Sequence, residues 1–288
     1  MITPSLPIGL LSTFGKTGLL FVLAFASTSI SSSFGQESID QESDAPRPNR
    51  EDESSSEQEV ITRWQDYYRR VASNYSFRID AENSRTLAWV KKPVLTYTNP
   101  VRGRAQHGSI FVWTDKGRPA VLGSVWSIAD RKSTEMRLVS LELLSLSQPF
   151  PLTGTLNGKE TLGLSAARDW SVQSSGVAWT DFPLTTRQSN QPFSKRRARL
   201  GLRSVARRFS ADLVRRDNVT RDKLRLIQKP IFEYESEDGS RVGALFSFAL
   251  STDPEIILWL EYGTDDSKPG TPPRLRYTSA RMSLLQLN

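Results

Sequence analysis

The sequence predicts an α+β fold built by internal duplication of a unit of one helix followed by four antiparallel strands. Three observations carry that expectation. An apolar stripe at helical spacing (Val60, Ile61, Trp64, Tyr67, Tyr68, Val71, Tyr75) precedes a series of strand-like runs. A second stripe (Ala198, Leu202, Val205, Ala206, Phe209, Leu213) precedes another series. Similar strings then recur in the same order at offsets of 137, 135, 135, 141 and 138 residues.

The elements follow in chain order. Residues 1–35 read as a signal peptide: Lys16 precedes the apolar run from Gly18 to Ala26, and cleavage falls either after Ala26 or near Gly35. That run is too short for a comfortable bilayer span, so the expectation is export with no transmembrane anchor in the mature chain. Residues 36–55 are acidic, rich in Ser and Pro, and lack large apolar side chains, which predicts a disordered linker. The first half covers 56–147, with a helix capped by Ser56 and Glu59. Its strands are expected over Leu87–Tyr97, Ser109–Thr114, Ala120–Ile128 and Met136–Leu146, with a turn at Asp115-Lys116-Gly117. A connecting segment, 148–193, carries Asn157-Gly158, the signature of a tight hairpin turn over Thr155–Leu162, and Trp170 and Trp179, which could cover a sheet edge. The second half, 194–288, repeats the order: a helix over Ser194–Val214, then strands over Leu224–Tyr234, Val242–Leu250, Glu255–Tyr262 and Leu275–Leu287.

The recurring strings are Lys92-Pro93-Val94-Leu95-x-Tyr97 against Lys229-Pro230-Ile231-Phe232-x-Tyr234, and Gly108 to Trp113 against Gly243 to Phe248. Pro119 to Leu122 matches Pro254 to Ile257, Leu141 to Leu146 matches Met282 to Leu287, and Arg69-Arg70-Val71 matches Arg207-Arg208-Phe209. A helix held by a curved sheet looks like the cystatin or nuclear-transport-factor wrap, an analogy of fold that carries no function.

The chain has no Cys, which excludes disulfides, thiolate catalysis, Cys-zinc sites and lipid attachment through Cys. Its charge is uneven. Residues 1–58 carry a net of −5, which leaves +12 for residues 59–288 against +7 for the whole chain. A basic exported body favours an anionic polysaccharide or envelope component as partner, ahead of nucleic acid.

The chemical motifs are few. Gly154 to Lys159 lacks P-loop spacing, and Glu160 stands where Ser or Thr would ligate magnesium. His107, the single histidine, reads as a solvated residue of the loop from Arg102 to Gly108. Glu135, Glu142, Asp169, Asp181, Glu233, Glu235 and Glu261 could supply a glycosidase pair, but no spacing selects two of them. No catalytic residue, metal ligand or cofactor site is therefore expected, and the sequence leans away from an enzyme. The strongest signal is the second helix with its flank, where 12 Lys/Arg face three Asp over residues 195–225. Arg196, Arg199, Arg203 and Arg207 fall in one stripe about 80° wide, a candidate anion-binding face suited to bidentate pairing. The alternative is a small-ligand or hydrolase site in a cavity between helix and curved sheet. Oligomeric state is left open.

The strings GVAWTDFP, RSVARRFSADL, LRLIQKPIFEYE and GALFSFALSTDPEIILWLE, within the span from Leu87 to the C-terminus, resemble a family of exported, uncharacterised proteins from planctomycete bacteria. The resemblance implies bacterial export and brings no catalytic or binding residue with it.

Overall fold

The computed structural model of the chain describes residues 50–79, 85–99, 106–129, 137–146, 151–157, 169–172, 176–183, 194–214, 219–264 and 272–282. The signal peptide, the linker up to residue 49, the hairpin residues 158–162, Arg102 to Ala105, Arg215, Arg216, Glu135 and residues 283–288 lie outside the described residues. Ser55 closes a first unit, of which only helical backbone from Arg50 is described, and Ser56–Asn288 form a second unit that holds every sheet.

The α+β expectation is overturned, because the described chain is mostly strand, with two helices and four sheets. Helix α1 (Arg50–Ser73) leads into β1 (Tyr75–Ile79), β2 (Arg85–Thr86), β3 (Ala88–Trp89), β4 (Leu95–Thr98), β5 (Gln106–Asp115), β6 (Arg118–Ala129), β7 (Arg137–Ser145), β8 (Leu152–Leu156), β9 (Asp169–Val172) and β10 (Thr180–Asp181). Helix α2 (Lys195–Ala206) follows. After it come β11 (Asp212–Val214), β12 (Arg221–Lys223), β13 (Arg225–Leu226), β14 (Phe232–Glu235), β15 (Arg241–Leu250), β16 (Asp253–Gly263) and β17 (Arg274–Arg281). Every pairing is antiparallel.

The helix-plus-four-strand unit is not the building block, and the cystatin or nuclear-transport-factor wrap falls with it. One large sheet has five strands, ordered β3-β5-β6-β7 with β4 also on β5; the other has six, ordered β10-β17-β16-β15-β13 with β14 also on β15. A separate four-stranded sheet runs β2-β1-β8-β9, and β11-β12 form a small ribbon. The physical reason lies in the strand cores. A sheet covered by one helix leaves a wet face and alternates apolar with polar residues, whereas β5 and β15 are buried along almost their whole length. Both faces of each large sheet need a cover.

The two large sheets cover each other. Ile110, Val112 and Leu122 meet Leu245, Ile257 and Trp259 in a shared core. The opposite face of the five-stranded sheet, with Phe111, Trp113, Val121 and Val125, packs under Tyr68, Val71 and Ala72 of α1 and under Phe77, Ile79 and Leu152. Beyond the six-stranded sheet, Leu202 and Ala206 of α2 close over Ala244, Phe246, Leu258 and Leu260. Each fully buried Leu, Ile or Phe in these layers contributes about 1.5–3 kcal/mol.

Local differences from the expected elements have simple causes. Helical backbone begins at Arg50, ahead of the expected start at Ser56. Tyr75, assigned to the helical stripe, instead opens β1, where Tyr75, Phe77 and Ile79 alternate inward with Ser76 and Arg78. The runs Leu87–Tyr97 and Leu224–Tyr234 each break in two at a Lys-Pro step, since Pro93 and Pro230 cannot donate to a ladder. Strand β8 takes β1 and β9 as its partners, with Thr155 opposite Ser76 on one side and Asp169 on the other. Lys116 and Gly117 carry φ values of 48° and 79°, as a two-residue β5–β6 turn requires.

Gly243 and Gly201 make opposite predictions. A Cβ on Gly243 would sit 2.3 Å from the Tyr234 ring, so Gly243→Ala should lower stability by about 1–3 kcal/mol. A Cβ on Gly201 meets nothing within 4 Å, and Gly201→Ala in α2 should raise stability by about 0.5–1 kcal/mol. Urea unfolding midpoints of the two variants check both signs.

Candidate functional site

The register of the six-stranded sheet places Tyr234, Gly243, Glu261, Arg276 and Asp181 in one row across β14, β15, β16, β17 and β10. Gly243 has no side chain, so the Tyr234 ring lies over it and its hydroxyl reaches Glu261 Oε2. From the other side Arg276 donates to Glu261 Oε1 through Nε at 3.0 Å and Nη2 at 2.5 Å. Two positions along each neighbouring strand stand same-face residues: Arg241, donating Nη1–H to Oε1 at 2.9 Å, and Trp259, donating Nε1–H to the Tyr234 oxygen at 2.8 Å. A third guanidinium comes from the opposing sheet. Arg118, the first residue of β6, donates Nε–H to Oε2 at 2.9 Å and Nη2–H to Oε1 at 3.2 Å.

Three guanidiniums thus converge on one carboxylate that is itself fully buried. Burial alone would push Glu261 toward its neutral form, but the charges of Arg118, Arg276 and Arg241 and the Tyr234 hydrogen bond outweigh it, and its pKa falls below the ordinary value. Burial first, and then the Glu261 charge, hold the Tyr234 phenol protonated, so it is a donor. Three guanidiniums share this carboxylate, and the Arg241 charge also bears on Asp238. In the five-stranded sheet Tyr97 lies over Gly108 in the same manner, but its hydroxyl bonds Ser124 at 3.0 Å.

Above Arg118, Arg241 and Trp259 opens a cleft of about 690 Å³. Its walls are the β5–β6 turn (Asp115, Lys116), the turn between β14 and β15 (Ser236, Glu237, Asp238, Ser240), Arg85 of β2, and the apolar surfaces of Pro119, Ala120, Leu146 and Trp179. The two turns abut: Glu237 N–H donates to the Lys116 carbonyl at 3.1 Å, and a Cβ on Gly117 would lie 2.6 Å from the Glu235 carbonyl. Arg85 holds Asp115 through two hydrogen bonds, of 2.5 and 2.6 Å. Asp238 accepts from the Ser236 hydroxyl, and from the Ser240 amide and hydroxyl, which bring its pKa down to about 2. Trp179 is delivered by a chain segment that crosses the end of β7, where Gly176 lies so close to the Ser145 carbonyl that no side chain fits. Its ring meets Trp259 edge-on at 4.6 Å and carries Arg276 over its face at 4.3 Å, while Arg118 stands over Trp259 at 5.7 Å.

The anion-binding stripe expected on α2 is divided. Arg199 pairs with Glu235 at 3.1 Å and Arg203 with Glu233 at 3.0 Å, both on the outward face of β14, and Lys195 also pairs with Glu235. Arg196 and Arg207 are exposed and make no ion pair among the described residues. Between them stands Leu200, 61% exposed. This cleft lies between the two large sheets. His107 is also placed differently: it belongs to β5, is 4% exposed, and its Nδ1 lies 2.8 Å from the Tyr68 hydroxyl, which also bonds Ser127. Of the carboxylates considered whose side chains are described, Glu261 stands out by its burial among arginines. The alternation Ile257, Trp259, Glu261 on the inward face of β16 was the signal for it.

Removing the Glu261 charge leaves three guanidiniums without their shared partner. Glu261→Gln should cost about 3–5 kcal/mol in urea unfolding. Because the folded-state pKa lies below the ordinary 4.5, this stabilisation is complete above that value and is lost as pH falls through the lower one. Wild-type stability should therefore decline in acid below about pH 4.5, with a shallower decline in the Gln variant.

Among the described residues no three His, Asp or Glu gather as a metal-holding group, and no helix is long and apolar enough to cross a membrane. No protein-family model matches the chain, and no curated protein or solved structure matches it either.

Proposed function

We propose that this chain is an exported, non-catalytic binding module that holds an anionic ligand in the cleft between its two large sheets. The observation that carries the reading is the convergence of Arg118, Arg241 and Arg276 on Glu261, with Arg118 and Arg241 lining the cleft and the Arg118 side chain 30% exposed. A partly exposed guanidinium held in place beside a cleft of lowered dielectric suits a bound anion. Catalysis by paired carboxylates is disfavoured. Asp238 and Glu261 are both moved toward the ionised state, whereas a general acid has to keep its proton near neutral pH. Export belongs to this reading through the Lys16 to Ala26 segment, and N-terminal sequencing of the secreted chain tests it.

The test is a titration with inorganic phosphate, sulfate and malonate, followed by the indole N–H resonances of Trp179 and Trp259. Binding should shift those two resonances, and Arg118→Gln should weaken it about tenfold or more. Unchanged binding in that variant removes the cleft as the site.

A second reading keeps part of the helix face. Arg196 and Arg207 flank the exposed Leu200 and point away from the sheet, so they suit a polymeric anion such as an acidic polysaccharide. Changing both to Glu should lower the salt concentration that elutes the protein from immobilised acidic polysaccharide. Charge reversal at Arg199 and Arg203 would mainly break their pairs with Glu235 and Glu233.

A further inference from the structure

We infer that the cleft takes an acidic saccharide, with the carboxylate of a uronic acid residue on the outer edge of Arg118 and the sugar hydroxyls on the carboxylates of the facing turn. The inference rests on the proposed anion site and narrows its ligand class. Arg118 uses its Nε and Nη2 groups on Glu261, and its Nη1 group makes no hydrogen bond among the described residues. A guanidinium bound side-on in this way still offers its Nη1 and Nη2 edge, a two-donor fork that fits an oxyanion. Arg118 lines the cleft and is about a third exposed, so that edge is reachable.

Two features bear on the class of ligand. At about 690 Å³ the cleft is of a size for an organic ligand and far larger than a bare ion needs. Its lining is mixed in sign. Asp238 and Glu237 stand on the turn between β14 and β15, Lys116 on the β5–β6 turn, and the apolar surface of Trp179 is part of the wall. Ionised carboxylates accept hydrogen bonds only, so they suit a ligand with many hydroxyl donors; a polyphosphate or polysulfate would be repelled by them. An aromatic surface beside such acceptors suits the C–H face of a sugar ring. A ligand with one carboxylate, several hydroxyls and an apolar face satisfies both features and meets the Arg118 fork.

The experiment is calorimetric titration of the mature chain with a trisaccharide that carries a single uronate residue, with its carboxyl-reduced neutral counterpart, and with phosphate and malonate. The uronate trisaccharide should bind, and reduction of its carboxyl should weaken binding about tenfold or more. Arg118→Gln should give a similar loss. Trp179→Ala and Lys116→Asn should each lose several-fold, and the latter, at an exposed turn, keeps the test available if Arg118→Gln does not fold. Equal affinity for the neutral trisaccharide would overturn the inference. Binding of phosphate or malonate that depends on Arg118, with none of the uronate, overturns the saccharide class and leaves the anion site standing. Absence of any binding removes both.

Discussion

Four ionised side chains meet at one point in the interior, and the arrangement of the cleft depends on it. Glu261 sits on β16 with its carboxylate out of water, and the cost of placing it there is offset only because three guanidiniums and a phenol reach it. Their approach is possible for backbone reasons. Gly243 opens the space through which Tyr234 passes, the cross-strand register sets Arg276 directly opposite, and the β5–β6 turn starts β6 at Arg118. A buried ion cluster is weak evidence for stability, since well-packed apolar side chains often do as well or better. What it fixes is alignment. Arg118 belongs to one sheet and Glu261 to the other, so the two sheets can pack well only with those residues facing each other.

A second polar link acts at a distance along the same interface. The Asn99 amide donates to Asp253 Oδ2 at 2.8 Å, again from one large sheet to the other, and both residues are buried. Apolar contacts between Ile110, Val112, Leu122, Leu245 and Ile257 provide most of the driving force, but they are non-directional. The two polar links supply the direction that apolar packing lacks. A shift of one residue in either sheet would separate these partners and turn inward-facing side chains outward.

Much of the secondary structure was legible because its signals are local. Asp115-Lys116-Gly117 announced a turn, the stripe from Ala198 to Ala206 announced α2, and the apolar strings around Phe111 and Phe246 announced strands. What covers those strands was not legible. A run such as Ile110 to Trp113 says that both faces are buried, but it does not say whether a helix or a second sheet buries them. The expectation of one helix per sheet failed at that step. Tyr75 was lost to the helix for a related reason: it continues the spacing of Tyr68 and Val71, yet also begins the alternation with Phe77 and Ile79, and the two periods overlap there. Glu261 was visible as a charge on the inward side of an apolar strand, but its three partners come from residues 118, 241 and 276, and only tertiary structure brings them together.

The basic helix shows why a local charge count misdirects. Arg199 and Arg203 seemed open to an external anion, but their counterions are already present on the adjoining strand. Residues of β14 alternate: Glu233 and Glu235 face α2, while Phe232 and Tyr234 face the core between the sheets. One strand therefore meets cations on both of its faces. On the outward face the pairs are exposed and each contributes little, about 0–1 kcal/mol. On the inward face the Tyr234 hydroxyl joins the carboxylate that orients Arg118 and Arg241 toward the cleft. Burial makes each of those contacts count for more than an exposed pair does. The cations that gather beside the cleft thus come from β6, β15 and β17, and not from the helix whose composition gave the strongest signal in the sequence.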